Sequence, residues 1–210
     1  MTGLTPGEEL RQQFGDIDIY LFDQVLRGRF DTRHRVLDAG CGDGRNLIYF
    51  LQRGFECYAI DSESSAVDVV RHTASRLAPQ LPLTNFAVAD LVDLPYPDAF
   101  MHVVMCSAVL HFANDEAHFA TMVNEMWRVL APGGLLFARL ASNIGLEPVI
   151  GPAGRRVRLP DGSDRFVVDE TMLVQLTDRL GGRLADPIKT TNVQGKRCMT
   201  TWCLTKASRT

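Results

Sequence analysis

The 210-residue sequence contains no apolar run long enough to cross a membrane. A membrane helix needs about 20 such residues. The longest run here, Val103 to Leu110, has the length of a buried strand. There is no Cys-x-x-Cys pair, so no structural zinc site is expected. The five cysteines, at 41, 57, 106, 198 and 203, are odd in number and scattered, which favours a reduced, cytoplasmic protein over a disulfide framework. Neither sign of charge dominates. With 22 Lys+Arg against 25 Asp+Glu the net charge is −3, and the basic footprint of a nucleic-acid binder is missing. The amino end, MTGLTPGEELRQQ, is acidic where a signal peptide would be basic and then apolar, so no such leader is expected. Repeats and low-complexity tracts are missing too.

What is present is globular in composition: 46% hydrophobic and 22% charged residues exclude disorder throughout. The length suits one domain with some decoration. Short apolar runs alternate with amphipathic stretches, the pattern of a parallel α/β sheet. Thr5-Pro6-Gly7-Glu8 reads as a capping box with proline in the first helical turn. Apolar residues at 10, 14, 17 and 21 follow helical spacing, and Gly15-Asp16 divides this stretch into two helices, the second ending at Gly28. Strands are predicted at about 35–38, 56–60, 85–89, 102–106 and 135–140. Helices are predicted at about 44–53, from a Ser62 or Ser64 cap to Leu77, and at about 115–130, the last stopped by Ala131-Pro132-Gly133-Gly134. From Ala141 to Arg165 the periodicity fails, and a long non-periodic insert is more often a lid or binding loop than a link. Asp169 caps a further helix through Leu180. Two final strands, about 184–190 and 199–205, are joined by Asn192-Val193-Gln194-Gly195 as an antiparallel hairpin.

The stretch that carries chemistry is Val36-Leu37-Asp38-Ala39-Gly40-Cys41-Gly42-Asp43-Gly44-Arg45-Asn46. Three glycines between an apolar strand and a helix let the backbone approach a ligand at the carboxyl ends of the strands, where open α/β sheets bind. A dinucleotide fingerprint needs its third glycine at position 45, where Arg45 stands; a Walker loop needs Gly-Lys-Ser or Gly-Lys-Thr, and neither occurs. The loop therefore suits an adenosine ligand that lacks a pyrophosphate. Asp61, ending the second strand, can accept hydrogen bonds from neighbouring ribose hydroxyls; the alternative is a plain helix-start acid beside Ser62. Asp90, ending the third strand, can accept from an adenine amino group or cap the following loop.

These residues resemble the class I S-adenosylmethionine-dependent methyltransferase family. The resemblance is carried by Leu37 to Gly44, by Asp61, by Ala89-Asp90 and by Trp127-Arg128-Val129-Leu130-Ala131-Pro132-Gly133-Gly134, and covers roughly residues 35–140. The Cys-Gly-x-Gly-Arg-Asn form of the loop is similar to the small-molecule branch (methyltransferase types 11 and 12, with tellurite-resistance and ubiquinone-type enzymes). One departure is Met101-His102, where members usually have Phe-Asp; it puts local pairing in doubt. The resemblance implies a Rossmann-like α/β fold with a seven-stranded sheet, five parallel strands plus a C-terminal antiparallel hairpin, and helices on both faces. It implies an N-terminal helical cap at 1–30 before a methyltransferase domain at 31–210, with 141–168 as a lid or substrate-loop insert. It implies S-adenosyl-L-methionine as cofactor. The backbone of Gly40, Cys41 and Gly42 would then pass its methionine and ribose parts, and Asp38 would hold its amino end. Arg45 would face the methionine carboxylate, or stand solvated in the first turn, with Asn46 beside it. Asp61 and Ser62 would hold the ribose, Asp90 and the Leu91 amide the adenine, and Ser107 and Ala108 would lie near the sulfonium.

Methyl transfer is an in-line displacement for which a protein supplies proximity, alignment and a dry site. A base is needed only where the nucleophile holds a proton. His111, just past the fourth strand, is the candidate base and a candidate substrate contact, or else a loop histidine bonded to backbone. Arg139, near the end of the fifth strand, either binds an anionic substrate group or forms a surface salt bridge. Tyr20 either covers the site or packs on the core, and Arg155, Arg156 and Arg158 either attract an acid or solvate an edge. Cys41 and Cys106 read as small buried residues. The expected function is methyl transfer to a small-molecule acceptor, by a cytoplasmic monomer or homodimer without metal, nucleic acid or membrane. The alternatives are a non-catalytic S-adenosylmethionine-binding module and a nicotinamide-dependent oxidoreductase, against which Arg45 argues.

Overall fold

The computed structural model describes residues 4–150 and 154–208. The chain divides into two compact units, Met1–Asp90 and Leu91–Thr210. No helix among the described residues is long and apolar enough to cross a membrane.

In the first unit, α1 (Pro6–Phe14) starts on the expected capping box: the Thr5 N–H donates to Glu8 Oε2 at 2.7 Å and the Thr5 hydroxyl accepts from the Glu8 N–H at 3.4 Å. It stops at Gly15, whose φ of +62° and close approach to Ile48 leave no room for a side chain. Asp18 then caps α2 (Ile19–Leu26), its carboxylate accepting from the Tyr20 N–H at 2.9 Å. Phe14 stacks on Tyr49 at 5.3 Å and meets Phe22 edge-on at 4.7 Å, joining both helices to the one after β1. Strands β1 (Arg35–Ala39), β2 (Glu56–Asp61) and β3 (Phe86–Val88) are parallel, with β2 in the middle. Val36, Leu37, Cys57 and Ile60 are fully buried, as expected of parallel strands covered on both faces.

The connecting helices are α3 (Ile48–Gln52) and α4 (Ser64–Leu77). Helix α3 begins later than the predicted Gly44, because a tight turn in which the Leu47 N–H bonds Gly44 O precedes it. Neither serine caps α4. Its N-cap is Glu63, without a side-chain bond, and the nearest acid oxygen, Asp61 Oδ1, accepts the Glu63 N–H at 3.0 Å.

The second unit holds β4 (Met101–Ser107), α5 (Glu116–Val129), β5 (Leu130–Ser142), α6 (Glu147–Ile150), β6 (Arg156–Arg158), β7 (Asp164–Phe166), α7 (Glu170–Arg179), β8 (Gly182–Leu184), β9 (Lys189–Val193) and β10 (Arg197–Lys206). Strand β4 runs parallel to β5, and β10 runs antiparallel to β5 from Cys198↔Ser142 to Thr205↔Leu135. Asp115 and Asp169 cap α5 and α7, accepting from the His118 and Met172 N–H groups at 2.8 and 2.7 Å.

Three details differ from the sequence reading. Ala131 to Gly134 lie inside β5, where the register of β4 on β5 shifts between Met101 and Val103. A Cβ on Gly134 would come within 2.8 Å of His102 O, so the unusual Met101-His102 pair sits at this close backbone approach. The arm predicted at 184–190 is two strands, β8 and β9, both on β10; Pro187, which lacks an N–H, interrupts them. The 141–165 insert contains the antiparallel hairpin β6–β7, whose three-residue strands are too short to show alternation. It covers a small apolar cluster of Ala141, Leu159 and Val167. Arg155 pairs with Glu116 at 2.6 Å and Asp169 at 2.9 Å, and Arg156 donates to Ala113 O at 2.8 Å. These two arginines tie the insert to the start of α5; neither is a merely solvated edge.

Candidate active site

In the first unit the predicted residues converge where β1 and β2 end. β1 delivers Asp38, a carboxylate 1% exposed whose two oxygens have no hydrogen-bond partner. Burial pushes its pKa up to about 7, with Asp61 and Asp43 adding repulsion and Arg45 opposing. The chain then turns: the Gly40 and Cys41 N–H groups both donate to Ile60 O at 2.9 Å. Gly40, Gly42 and Gly44 all have positive φ, and a Cβ on Gly42 would meet nothing within 4 Å. The bend is therefore open on the Gly42 side. Gly44 is closed, since its Cβ would lie 2.8 Å from Val70 Cγ2.

Asp61 reaches back to this bend. Its Oδ2 accepts the Gly42 N–H at 2.8 Å and its Oδ1 the Glu63 N–H at 3.0 Å. A carboxylate has about four acceptor positions, so two remain for a ligand. The Ala89 N–H donates to Asp61 O at 3.0 Å, bringing the end of β3 alongside. Asp90 and Ser62 are exposed nearby in sequence.

Arg45 and Asn46 serve the N-terminal helices. Asn46 Oδ1 accepts the Asp18 N–H at 2.9 Å. Arg45 is 3.9 Å from Asp18 Oδ2 and donates to Asp16 O at 3.4 Å. Tyr20 is half-buried at the start of α2. Cys41 is buried, and burial raises its thiol far above the range of a reactive thiolate. All five cysteines are buried and none is in a disulfide.

In the second unit Leu91 is buried, and β4 ends at buried Ser107. Ala108 follows at φ +64°, a strained value for a residue with a side chain, held by its N–H bond to Arg139 O at 2.7 Å. A cavity of about 380 Å³ opens here, lined by Ala108, His111, Arg139, Asp161, Arg165 and Arg197 among others. Both acceptor-side candidates, His111 and Arg139, thus face one cavity. His111 is 5% exposed, its Nδ1 has no partner, and burial with the nearby Arg165 charge lowers its pKa to about 4. It is neutral at pH 7. A larger cleft, about 820 Å³, lies along α1, α3 and α4. Its lining includes Arg53, Arg76 and Leu77, from the helix ends that return the chain to the amino ends of the strands, away from the glycine bend.

A family model described as a methyltransferase domain matches residues 37–138. The matched segment is a methyltransferase domain of the class I S-adenosylmethionine-dependent family. A probable S-adenosylmethionine-dependent methyltransferase of Mycobacterium tuberculosis is 35% identical over 140 residues, 63% of this chain and 47% of that protein. A malonyl-[acyl-carrier protein] O-methyltransferase of Pseudescherichia vulneris is 30% identical over 138 residues, 65% of this chain and 50% of that one. The chain spans about half the length of these curated relatives. Among solved structures, magnesium protoporphyrin IX methyltransferase of Synechocystis with bound SAH superposes with a TM-score of 0.68 at 17% identity, covering 99% of this chain and 90% of that one. At that identity the likeness shows the Rossmann-like fold alone. The family's cofactor is S-adenosylmethionine, and the matched segment begins at Leu37, immediately before the buried carboxylate and the glycine bend.

Two cavity arginines were not expected as site residues from the sequence. Arg165 stood among the arginines of an aperiodic insert, and Arg197 starts the last strand with no motif around it. Only the pairing of β6 with β7 and of β10 with β5 brings them towards Arg139.

Proposed function

We propose that this chain binds S-adenosylmethionine at the glycine bend and transfers its methyl group to a small-molecule acceptor. The observation that carries the reading is Asp38: a buried carboxylate with both oxygens unpartnered calls for a cationic donor, and the amino-acid end of this cofactor supplies an ammonium. Asp61 fits the same ligand, with two acceptor positions left for the ribose diol. The open face of Gly42 lets the backbone lie against it.

When bound, the cofactor would supply an electrophilic methyl carbon on cationic sulfur, with the neutral thioether as leaving group. Asp38 provides the counter-charge, Asp61 fixes the sugar, and Arg45 and Asn46 hold the bend against the N-terminal helices. We assign Asp90 and the Leu91 amide to the adenine and Ser107 and Ala108 to the reacting end. We assign His111, neutral at pH 7, as the base for an acceptor that carries a proton. Arg139 and Tyr20 are assigned to the acceptor. We assign residues 1–30 as the helical cap and 141–168 as the substrate loop of a methyltransferase domain at 31–210; positions 1–3, 151–153 and 209–210 of these ranges lie outside the described residues. Five free buried thiols suit a reducing cytoplasm. The relatives are named for different acceptors, malonyl-[acyl-carrier protein] in one and magnesium protoporphyrin IX in another, so neither is transferred to this chain.

Isothermal titration with S-adenosylmethionine, S-adenosylhomocysteine and NAD tests the reading. Saturable binding of the first two, lost in Asp61→Ala, is expected. Folded protein that takes up neither overturns it. Binding without S-adenosylhomocysteine release over a broad panel of nucleophiles favours the non-catalytic alternative.

A further inference from the structure

The cavity of the second unit has an unbalanced charge. Arg139 from β5, Arg165 from β7 and Arg197 from the start of β10 all line it, against one carboxylate, Asp161. That carboxylate is already engaged: Oδ1 accepts the Ser163 N–H at 3.0 Å and hydroxyl at 2.6 Å, and Oδ2 lies 3.8 Å from Arg197 Nη1. His111 is neutral and does not offset the excess. Burial lowers its pKa and the nearby Arg165 charge adds to the effect. Arg165 is held in place, its Nη1 donating to Asp164 O at 2.9 Å and its guanidinium lying 4.9 Å from the Phe112 ring centre. Arg165 and Arg197 thus bring two positive charges to about 380 Å³ against the single charge of Asp161, an excess that an anion balances. A planar fork of donors is the side chain best matched to an oxyanion.

We propose that this cavity binds an anionic acceptor, a small molecule carrying a carboxylate or a phosphate gripped by Arg165 and Arg197, with Arg139 beside it. The assignment of that anion as methyl acceptor rests on the function proposed above; the anion site itself does not. Its volume suits a small acid rather than a macromolecule. His111 lines the same space and offers the ligand a neutral polar neighbour.

Ligand-observed NMR and titration calorimetry on the full chain loaded with S-adenosylhomocysteine test the proposal. The probes are matched pairs: benzoate and benzamide, cinnamate and cinnamamide, hexanoate and hexanamide, with phenyl phosphate against phenol. Acids are expected to bind at least about tenfold tighter than their neutral partners, the scale of one charge-assisted hydrogen bond. The carboxylate and phosphate arms show which oxyanion is preferred. Arg165→Gln combined with Arg197→Gln is expected to abolish the preference while S-adenosylhomocysteine affinity stays within about twofold. Equal binding of acids and neutral partners, or a preference that survives both substitutions, overturns the proposal. Should the protein bind acids selectively yet take up no S-adenosylhomocysteine, the anion site stands and the methyltransferase reading falls.

Discussion

The Asp61 carboxylate accepts the Gly42 backbone N–H at 2.8 Å, across a gap of nineteen positions in sequence. One side chain thereby holds the bend in shape with half of its acceptor capacity and keeps the other half for a ligand. A glycine at position 42 is part of the same arrangement, since its φ of +52° aims its N–H at the acid and its bare Cα leaves the ligand side clear.

Asp61→Ala is expected to weaken S-adenosylmethionine binding by roughly 100-fold or more, from the loss of two hydrogen bonds to a charged acceptor. Asp61→Asn keeps one acceptor oxygen and should lose less. Calorimetry of the three proteins side by side checks the order. Equal losses for Ala and Asn would mean that charge, rather than hydrogen bonding, does the holding.

Gly42 and Gly44 should respond differently to alanine. At Gly42 the new Cβ enters open space, so Gly42→Ala costs only the positive-φ strain, about 1–2 kcal/mol, yet obstructs the ligand face. At Gly44 the Cβ also meets Val70 Cγ2 at 2.8 Å. Overpacking adds to strain there, for a loss of about 3 kcal/mol that Val70→Ala partly relieves. Denaturant melts with and without S-adenosylhomocysteine separate the two effects.

Asp38 couples binding to pH. In the free protein its carboxyl is half protonated near pH 7, because burial opposes its charge. An ammonium placed beside it favours the ionised form, so binding expels a proton. Affinity is then expected to rise as pH increases from 5 to 7 and to level off above. Calorimetry in buffers of different ionisation enthalpy should count up to about one proton released below pH 7, and none for Asp38→Asn.

The starts of α1, α5 and α7 were legible because capping is local: Thr5, Asp115 and Asp169 each bind a backbone N–H within three residues. Asp38, Asp61 and the glycines were legible for the same reason, lying at the ends of apolar runs. The charge of the cavity was not. Arg139, Arg165 and Arg197 come together only through strand pairings formed over long sequence separation. Nor did the sequence reveal that Asp38 lacks a partner, which depends on every neighbour around it. The sequence placed Asn46 beside Arg45 at the ligand; that its oxygen also accepts the Asp18 N–H and anchors α2, a link between positions 28 residues apart, was not legible.

Asp38 and His111 also act on stability with opposite sign. Asp38 has a folded pKa of about 7, above its unfolded value near 4. Between those values the native state holds the extra proton, so stability falls as pH rises. His111 has a folded pKa of about 4, below its unfolded value of 6.5. There the unfolded state holds the extra proton, so stability rises with pH through nearly the same window. Each contributes at most about 1.4 kcal/mol per pH unit, and the two offset one another. Ligand-free wild type is therefore expected to be nearly flat from pH 4.5 to 6.5. Asp38→Asn unmasks the histidine and becomes less stable on acidification. His111→Gln unmasks the carboxylate and becomes more stable on acidification. Denaturant midpoints across this range decide the matter, and parallel profiles for the two variants would show that at least one of these groups titrates as it does in the unfolded chain.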